Sequence, residues 1–258
     1  MIDWIAVALG VIEGITEFLP ISSTGHLLIA EHWLGARSDA FNIAIQAGAM
    51  LAVMLIYRAR LATIAIGWKD RANHAYAAKL LVSFAVTALL GFAVKRFGIA
   101  LPQTLAPVAW ALVIGGIWMI TVEQIVRRKP DQSEVTWPVA IVVGVAQIVA
   151  GIFPGISRSG ATIFAAMLFG TTDRSRATEF SFLVGIPTMF AATAFELLSA
   201  VKQGGLNEDW NALLIGFIVS AVTAFAAVKW LLAYIQSHRF TAFSIYRVVL
   251  GAALLTIS

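Results

Sequence analysis

Long apolar runs constrain this chain more than any other feature. Two of them read LLVSFAVTALLGFAV and LLIGFIVSAVTAFAAV, and about 20 such residues suffice to cross the roughly 30 Å hydrocarbon core of a bilayer. Only 12% of the 258 residues are charged, whereas a soluble domain carries about 25%. We therefore expect a single all-α, polytopic integral membrane domain over residues 1–258.

Six transmembrane helices are predicted, together with two regions that are broken near their middle. The predicted crossings are residues 40–57, 77–97, 105–127, 177–199, 210–236 and 242–257. The broken regions, 2–35 and 137–170, are interrupted by Pro, Gly, Ser and Thr. The helical pieces after the breaks, GHLLIAEHWLG and GATIFAAMLFG, are too short to cross and predict re-entrant helix-loop-helix hairpins. Because lipid cannot satisfy non-helical backbone, each break must be buried in protein or line a wet cavity.

The two broken regions resemble each other. LGVIEGITEFLPISSTGH and VGVAQIVAGIFPGISRSGA align with one inserted glycine, which matches Gly10 with Gly144 and Ser22 with Ser157. We interpret this as an internal repeat, with repeat one over about 1–130 and repeat two over about 131–258. Because each repeat holds an odd number of crossings, the second copy enters the membrane from the opposite face, as in inverted-topology repeats.

The basic residues predict the orientation and help to exclude other functions. Inside loops of membrane proteins carry an excess of Lys and Arg, and this rule favours both termini outside, with the second hairpin entering from the cytoplasm. The net charge of +4 is scattered through short loops, which argues against nucleic-acid binding. The chain has no cysteine, so disulfides and thiolate metal sites are excluded.

The first break, EGITEFLPISSTGH, begins with a carboxylate pair. Glu13 and Glu17 are four residues apart, so they share one face of a helix. Two such charges in lipid are costly unless a cation lies beside them. The pair is therefore a candidate metal site, the alternative being two solvated carboxylates at a helix end.

Hydroxyls and an imidazole follow the pair in the same stretch. Ser22, Ser23 and Thr24 directly precede the short helix, and His26 starts it. Hydroxyl, imidazole and carboxylate together can form an activated nucleophile with a general acid or base. Any one of these hydroxyls could instead simply bond the helix backbone, and spacing alone does not identify the reacting one.

The second break, PGISRSGAT, carries a cation instead. Arg158 stands between Ser157 and Ser159, and Thr162 follows one turn later. A guanidinium presents a planar fork that suits phosphate oxygens, and the free N–H groups of a helix start, here near Gly160, favour an anion. Facing each other, the two breaks would offer carboxylates, a proton-transfer group and an anion clamp, as phosphoryl chemistry requires.

These residues resemble the two signature motifs of the undecaprenyl-diphosphate phosphatases of the bacitracin-resistance type. The (E/Q)xxxE pattern is met by Glu13 and Glu17, and PGxSRSxxT by the residues from 154 to 162. The resemblance covers essentially the whole chain. It implies a catalytic group and a phosphate-binding group. It also implies that Glu13 and Glu17 bind the metal. The catalytic group is Glu17, Ser23, His26 and Arg158, and the phosphate-binding group is Ser22, Thr24, Ser157, Ser159, Gly160 and Thr162.

The resemblance also implies what such an enzyme does and where. It would hydrolyse undecaprenyl diphosphate to the monophosphate and inorganic phosphate, depend on a divalent cation, Mg or Ca, and lie in the bacterial inner membrane with its site open to the periplasm. The expected partners are the polyprenyl diphosphate, membrane lipid and a second copy of the chain as a homodimer. The alternative is a lipid-phosphate flippase, because inverted repeats with broken helices are also transporter architecture.

Overall fold

The computed structural model describes residues 3–67, 69–97, 104–202 and 209–256, and the regular secondary structure in these ranges is entirely helical. Eleven helices lie within these ranges. In chain order they are α1 (Trp4–Thr16), α2 (Ser23–Leu34), α3 (Asp39–Ile56), α4 (Arg58–Ile66), α5 (Arg71–Arg96), α6 (Leu105–Val126), α7 (Trp137–Ile152), α8 (Arg158–Phe169), α9 (Arg174–Lys202), α10 (Trp210–Ser237) and α11 (Thr241–Leu255).

Five of these helices, α3, α5, α6, α9 and α10, are long and apolar enough to cross a membrane. They match five of the six predicted crossings, so the chain is a multi-pass membrane protein. The sixth predicted crossing, 242–257, contains α11, which has 15 residues and is shorter than the roughly 20 residues of a typical span. Its predicted end lies outside the described residues. Helix α4 was not predicted, because its nine residues include two arginines and form no long apolar run.

Both predicted breaks are confirmed as interruptions between two helices. Residues 17–22 separate α1 from α2, and residues 153–157 separate α7 from α8. Each following helix begins with a serine cap: Ser22 Oγ accepts from Gly25 N at 3.3 Å, and Ser157 Oγ accepts from Gly160 N at 3.1 Å. Such a cap satisfies one of the amides that the first turn leaves free. The two breaks therefore end in the same capping hydrogen bond, although the backbone differs, with a φ of 76° at Ser22 and −62° at Ser157.

Helices of the two halves pack across each other in matching pairs. Helix α1 packs on α10, and α7 packs on α5. Each contact is a close backbone approach at a glycine: a Cβ at Gly10 would lie 2.8 Å from Gly216 O, and one at Gly144 would lie 2.6 Å from a carbonyl oxygen of α5. A threonine donates across each contact, Thr223 Oγ1 to Gly10 O at 3.4 Å and Thr87 Oγ1 to Gly144 O at 3.1 Å.

The densest part of the interior surrounds α8 and α9. Nine of the twelve residues of α8 are buried, whereas three of the twelve residues of α2 are. Phe164 of α8 and Phe180 of α9 are fully buried. In contrast, large apolar side chains such as Phe92 and Trp110 are more than half exposed, as expected for helices whose solvent is lipid. Helix α8, after the second break, is thus anchored in the core, and α2, after the first break, lies nearer the periphery.

Candidate active site

The first break places a hydroxyl against a carboxylate. Ser23, the first residue of α2, donates from Oγ to Glu17 Oε2 at 2.5 Å. Both side chains are buried, with 6% of Glu17 and 9% of Ser23 exposed. A serine whose proton points at a carboxylate has its general base in place and keeps oxygen lone pairs for attack. The structure therefore singles out Ser23 from the three predicted hydroxyls.

Glu13 lies one turn before Glu17 and is almost completely buried, at 1% exposure. Its Oε2 has no hydrogen-bond partner among the described residues. Its charged neighbours are Glu17 and Arg158. A buried carboxylate oxygen without a partner is costly, so this atom is available to a ligand that supplies a proton or positive charge.

Arg158 brings the second break to the same place. It is the first residue of α8, and its Nη2 lies 4.0 Å from Glu17 Oε1. That separation is too long for a hydrogen bond, but it allows strong attraction between opposite charges in a buried setting. The side chain is 31% exposed, so the guanidinium can receive an anion. The predicted meeting of the two breaks is confirmed at this pair.

The serines of the second break form hydrogen bonds within that break and to the first break. Ser159 Oγ donates to Leu19 O of the first break at 3.0 Å. Because its proton is used there, the 2.9 Å contact between Ser157 Oγ and Ser159 Oγ has Ser157 as its donor. Thr162 Oγ1 donates back to Arg158 O at 2.8 Å. These predicted phosphate-binding hydroxyls, with Gly160 N at the cap, thus fix the position of Arg158.

Ser22 and Thr24 occupy different positions around Ser23. Ser22 caps α2 and has a φ of 76°, which lies in the left-handed region that costs energy for any residue except glycine. Such strain is often found where a functional residue must be aimed, and the next residue here is Ser23. Thr24 is exposed and borders the same cavity as Ser23. Its hydroxyl is therefore accessible to a ligand.

Both ring nitrogens of His26 contact groups other than the carboxylates. Its Nδ1 lies 2.7 Å from Ser22 O, and its Nε2 lies 2.7 Å from the hydroxyl of Tyr246 on α11. A carbonyl oxygen only accepts, so Nδ1 carries the proton and the neutral ring accepts from Tyr246 at Nε2. The structure thus places His26 at the edge of the site, with its acceptor nitrogen occupied by a tyrosine.

Arg247 of α11 was missed by the sequence analysis, although it contacts both breaks. It is 1% exposed, and it donates to Pro20 O at 3.4 Å and to Gly155 O at 3.0 Å. A Cβ at Gly115 of α6 would lie 2.2 Å from its Nη2, so this glycine makes room for the guanidinium. The available signal was a charged residue inside an apolar segment, SIYRVVLG, which by itself suggests a functional role.

A polar cavity leads to the first break. Its volume is about 470 Å³, and Glu13, Ser23 and Thr24 lie in its wall. Further carboxyl and amide groups complete the polar lining: Glu31, Asp39, Asn42, Gln46 and Glu196. The cavity gives the buried Glu13 and Ser23 a wet approach, as irregular backbone at membrane depth requires.

Comparison with known proteins places the chain in a family. Residues 6–253 match the model of the family described as "Bacitracin resistance protein BacA". The chain belongs to the BacA family. An undecaprenyl-diphosphatase of Rhizobium johnstonii is 65% identical over 251 residues, which span 97% of this chain and 95% of the relative. An undecaprenyl-diphosphatase of Xanthomonas oryzae pv. oryzae is 57% identical with the same coverage.

The carboxylate pair of this BacA-family chain fits a divalent cation that is shared with a phosphate. Glu13 and Glu17 supply hard oxygen ligands, and Glu13 Oε2 still lacks a partner among the described residues. In the ranges that the structure describes, no third acidic, histidine or cysteine side chain completes a protein-only metal site. Mg²⁺ at phosphate sites is usually held by one or two carboxylates together with phosphate oxygens and water. Glu13 and Glu17, which lie beside Arg158, therefore fit the ligand requirements of a Mg²⁺ ion that is shared with a phosphate.

Proposed function

We propose that the chain hydrolyses undecaprenyl diphosphate to undecaprenyl phosphate and inorganic phosphate. This reaction recycles the lipid carrier for cell-wall polymers and confers bacitracin resistance. The observation that carries the proposal is the Glu17–Ser23 contact of one break lying beside Arg158 of the other. The 57–65% identity to undecaprenyl-diphosphatases over nearly the whole chain supports the same substrate.

Arg158 binds the diphosphate and stabilises charge on its nonbridging oxygens. The first-turn amides of α2 and α8 that the serine caps leave free have no intrahelical partners and assist as anion donors. Because charge on these oxygens must be stabilised at the transition state, fixed donors around them lower the barrier. The tie from Ser159 to Leu19 O keeps these donors beside Ser23.

Ser23 is the nucleophile of the proposed reaction. Its Oγ forms a bond to the terminal phosphorus, its proton passes to Glu17, and the bond between that phosphorus and the bridging oxygen breaks. Undecaprenyl phosphate then leaves with the electron pair of the broken bond. Water hydrolyses the phosphoserine in a second step, in which the serine recovers a proton and inorganic phosphate is released. His26 serves as acid or base once Nε2 leaves the Tyr246 hydroxyl.

Glu13 and Glu17 would hold the divalent cation, Mg or Ca. When bound, the cation supplies positive charge that polarises the phosphoryl group. Glu13 lies in the wall of the polar cavity, where its negative charge also discourages phosphate from binding without a counter-charge. Besides helping to hold the cation, Glu17 has two further tasks, since one oxygen accepts the Ser23 proton and the other faces Arg158.

An apolar cavity is the proposed path of the lipid tail. It has a volume of about 500 Å³ and lies against α6, α7 and α8. Ile156 and Ala161, which flank Arg158 in sequence, form part of its wall. A tail in this cavity would extend from a diphosphate held at Arg158 toward the exposed Trp110 and Phe169, and hence toward lipid.

The membrane arrangement completes the proposal. Six transmembrane helices and two re-entrant hairpins, as inverted repeats over about 1–130 and 131–258, are supported by the matching pairs α1 with α10 and α7 with α5. We place both termini and the opening of the site on the periplasmic side of the inner membrane. A homodimer stays a prediction.

The side of the membrane can be tested because the chain has no cysteine. Thr104 and Ser133 are both exposed, and single cysteines there can be labelled in spheroplasts by an impermeant maleimide. Thr104→Cys should be labelled, and Ser133→Cys should be labelled only after the cells are opened. The reverse pattern would contradict the proposed orientation.

The activity test is phosphate release from undecaprenyl diphosphate by purified protein in detergent. We expect activity that a chelator abolishes, that Mg²⁺ or Ca²⁺ restores, and that Arg158→Ala removes. Full activity in Arg158→Ala would overturn the mechanism. Flipping of undecaprenyl phosphate in vesicles that survives Glu17→Gln, without phosphate release, would favour the flippase instead.

A further inference from the structure

A third, very small cavity has the paired residues of the site in its wall. Its volume is about 20 Å³, and Glu17, Gln147, Arg158 and Ser181 are in its wall. Every side chain in this wall except Arg158 is buried. The cavity is too small for a phosphate, but a water molecule needs only about 10–15 Å³ and two to four polar partners.

The orientation of the Gln147 amide follows from its neighbours. Gln147 of α7 is 4% exposed, and its Nε2 donates to Thr87 Oγ1 at 2.9 Å. The Thr87 hydroxyl already directs its proton to carbonyl oxygens, including Gly144 O at 3.1 Å, so Thr87 Oγ1 must accept from Gln147. The amide oxygen Oε1 then has no hydrogen-bond partner among the described residues.

A second unpartnered oxygen reaches the same cavity from α9. Ser181 is 4% exposed, and its Oγ also lacks a hydrogen-bond partner within the described part of the chain. Buried polar groups are almost always hydrogen-bonded, either to protein or to ordered water. Two such exceptions, on residues of different helices that line one cavity of this volume, point to a shared small partner.

Glu17 and Arg158, the two charged residues of the site, both lie in the wall of the same cavity. Arg158 Nη2 and Glu17 Oε1 are 4.0 Å apart, and a polar contact longer than about 3.5 Å often holds an intervening water. We propose that one ordered water occupies this cavity, bound by Gln147 Oε1 and Ser181 Oγ, and connects them to Glu17 and Arg158.

Gln147 and Ser181 are, on this proposal, positioning residues that act through the water. They would hold the carboxylate of the first break and the guanidinium of the second at a fixed separation before the diphosphate arrives. In the alignment of the two broken regions Gln147 takes the place of Glu13, so the second repeat supplies a neutral acceptor where the first supplies a charge. The functional role rests on the proposed hydrolysis, whereas the presence of the water does not.

The direct test is an experimental structure of the full chain without substrate, at a resolution that shows ordered water. We expect one water within hydrogen-bond distance of Gln147 Oε1 and Ser181 Oγ. A dry cavity, or one closed by a rotated side chain, would overturn the proposal. Because no turnover is needed, this result stands apart from any failure of the hydrolysis assay.

The kinetic test uses Ser181→Ala, Gln147→Met and the double variant, with thermal unfolding measured on each. We expect each single variant to lower kcat about fivefold, the effect of one ordinary hydrogen bond, with KM unchanged. Because both act through one water, the double variant should lose about fivefold to tenfold rather than about 25-fold. Effects that multiply, or an unchanged kcat in Ser181→Ala, would contradict a shared water.

Ser83→Ala is the matched control. Ser83 of α5 is also fully buried with an unpartnered Oγ among the described residues, but it is not in the wall of this cavity. Removal of the Ser83 hydroxyl in Ser83→Ala should leave kcat unchanged. An equal loss of kcat in Ser83→Ala and Ser181→Ala would show that the effect is general loosening of the bundle.

Discussion

The two breaks share a scaffold but differ in charge and burial. Both end in a serine cap that accepts from a glycine amide, Ser22 from Gly25 N and Ser157 from Gly160 N. Beyond the caps, the helix after the first break is mostly accessible and the helix after the second is mostly buried. The comparison teaches that two breaks with the same capping hydrogen bond can carry different chemistry through a few side chains.

The difference in burial suits the two tasks. The acidic break borders a polar cavity of about 470 Å³, through which water, phosphate and a cation can pass. The basic break begins a helix packed in the core, where Arg158 is held by its own turn and by the Ser159 tie to Leu19 O. A clamp is more effective when it is rigid, because preorganised donors need no rearrangement during the reaction.

The largest effect is expected from removing the charge of the second break. Arg158→Ala should lower kcat/KM about 10³–10⁵-fold, the range found for arginines that stabilise phosphoryl transfer. Arg158→Lys should recover only part of this loss, because an ammonium lacks the planar fork. The measurement is phosphate release under saturating and limiting substrate. Equal activity of the Lys variant and the parent protein would show that charge alone suffices.

The second-largest loss of activity is expected from removing the Ser23 hydroxyl of the first break. Ser23→Ala should lower kcat about 10²–10⁴-fold, since it removes the group that shares a proton with Glu17. Thr24→Ala is the neighbouring control, because Thr24 borders the same cavity but does not contact Glu17 in the structure. The decrease in kcat should be much smaller for Thr24→Ala than for Ser23→Ala. If the two variants were equally impaired, Ser23 would be a binding group and not the nucleophile.

The link between the breaks can be tested with a glycine pair. Gly115→Ala places a Cβ 2.2 Å from Arg247 Nη2, so the guanidinium must leave the carbonyls of Ala111 and Gly155. We expect a loss of activity of about tenfold, together with a lower Tm, because buried carbonyls lose their donor. Gly151→Ala has open space around its Cβ and should be neutral. An unchanged Gly115→Ala would show that Arg247 does not hold the breaks in position.

The smallest effect is expected at the shared caps. Ser22→Ala and Ser157→Ala should each lower the free energy of unfolding by about 1 kcal/mol, the usual cost of losing a serine cap. Thermal unfolding in detergent would compare the Tm values of the two variants with that of the parent protein. Similar shifts would support the common scaffold. A much larger shift for Ser22→Ala would indicate that its left-handed backbone, with a φ of 76°, depends on the hydroxyl.

Much of the architecture could be predicted from the sequence because lipid imposes simple rules. Apolar length revealed five long helices, and Pro, Gly and Ser in apolar regions revealed both breaks. That the two breaks face each other was also predicted, because irregular backbone and polar groups at membrane depth must be buried in protein or line a wet cavity. Helix α4 was missed because a short helix with charged residues contains no long apolar run by which it could be recognised.

The details of the site depended on packing that the sequence does not display. The spacing of Ser22, Ser23 and Thr24 does not reveal that Ser22 caps a helix while Ser23 meets Glu17. His26 was predicted as an acid or base near the hydroxyls, but the sequence does not reveal that its ring bonds Tyr246 from the far end of the chain. Arg247 contacts both breaks from α11, and only tertiary structure brings it there.

The central claim is that the acidic and basic breaks bind one diphosphate together. The most direct measurement is an experimental structure of the full chain with a non-hydrolysable polyprenyl diphosphonate. The account predicts that the terminal phosphoryl group lies within hydrogen-bond distance of both Arg158 and Ser23, with Glu17 still in contact with the serine. A ligand bound at Arg158 with its terminal phosphorus out of reach of Ser23 would contradict it.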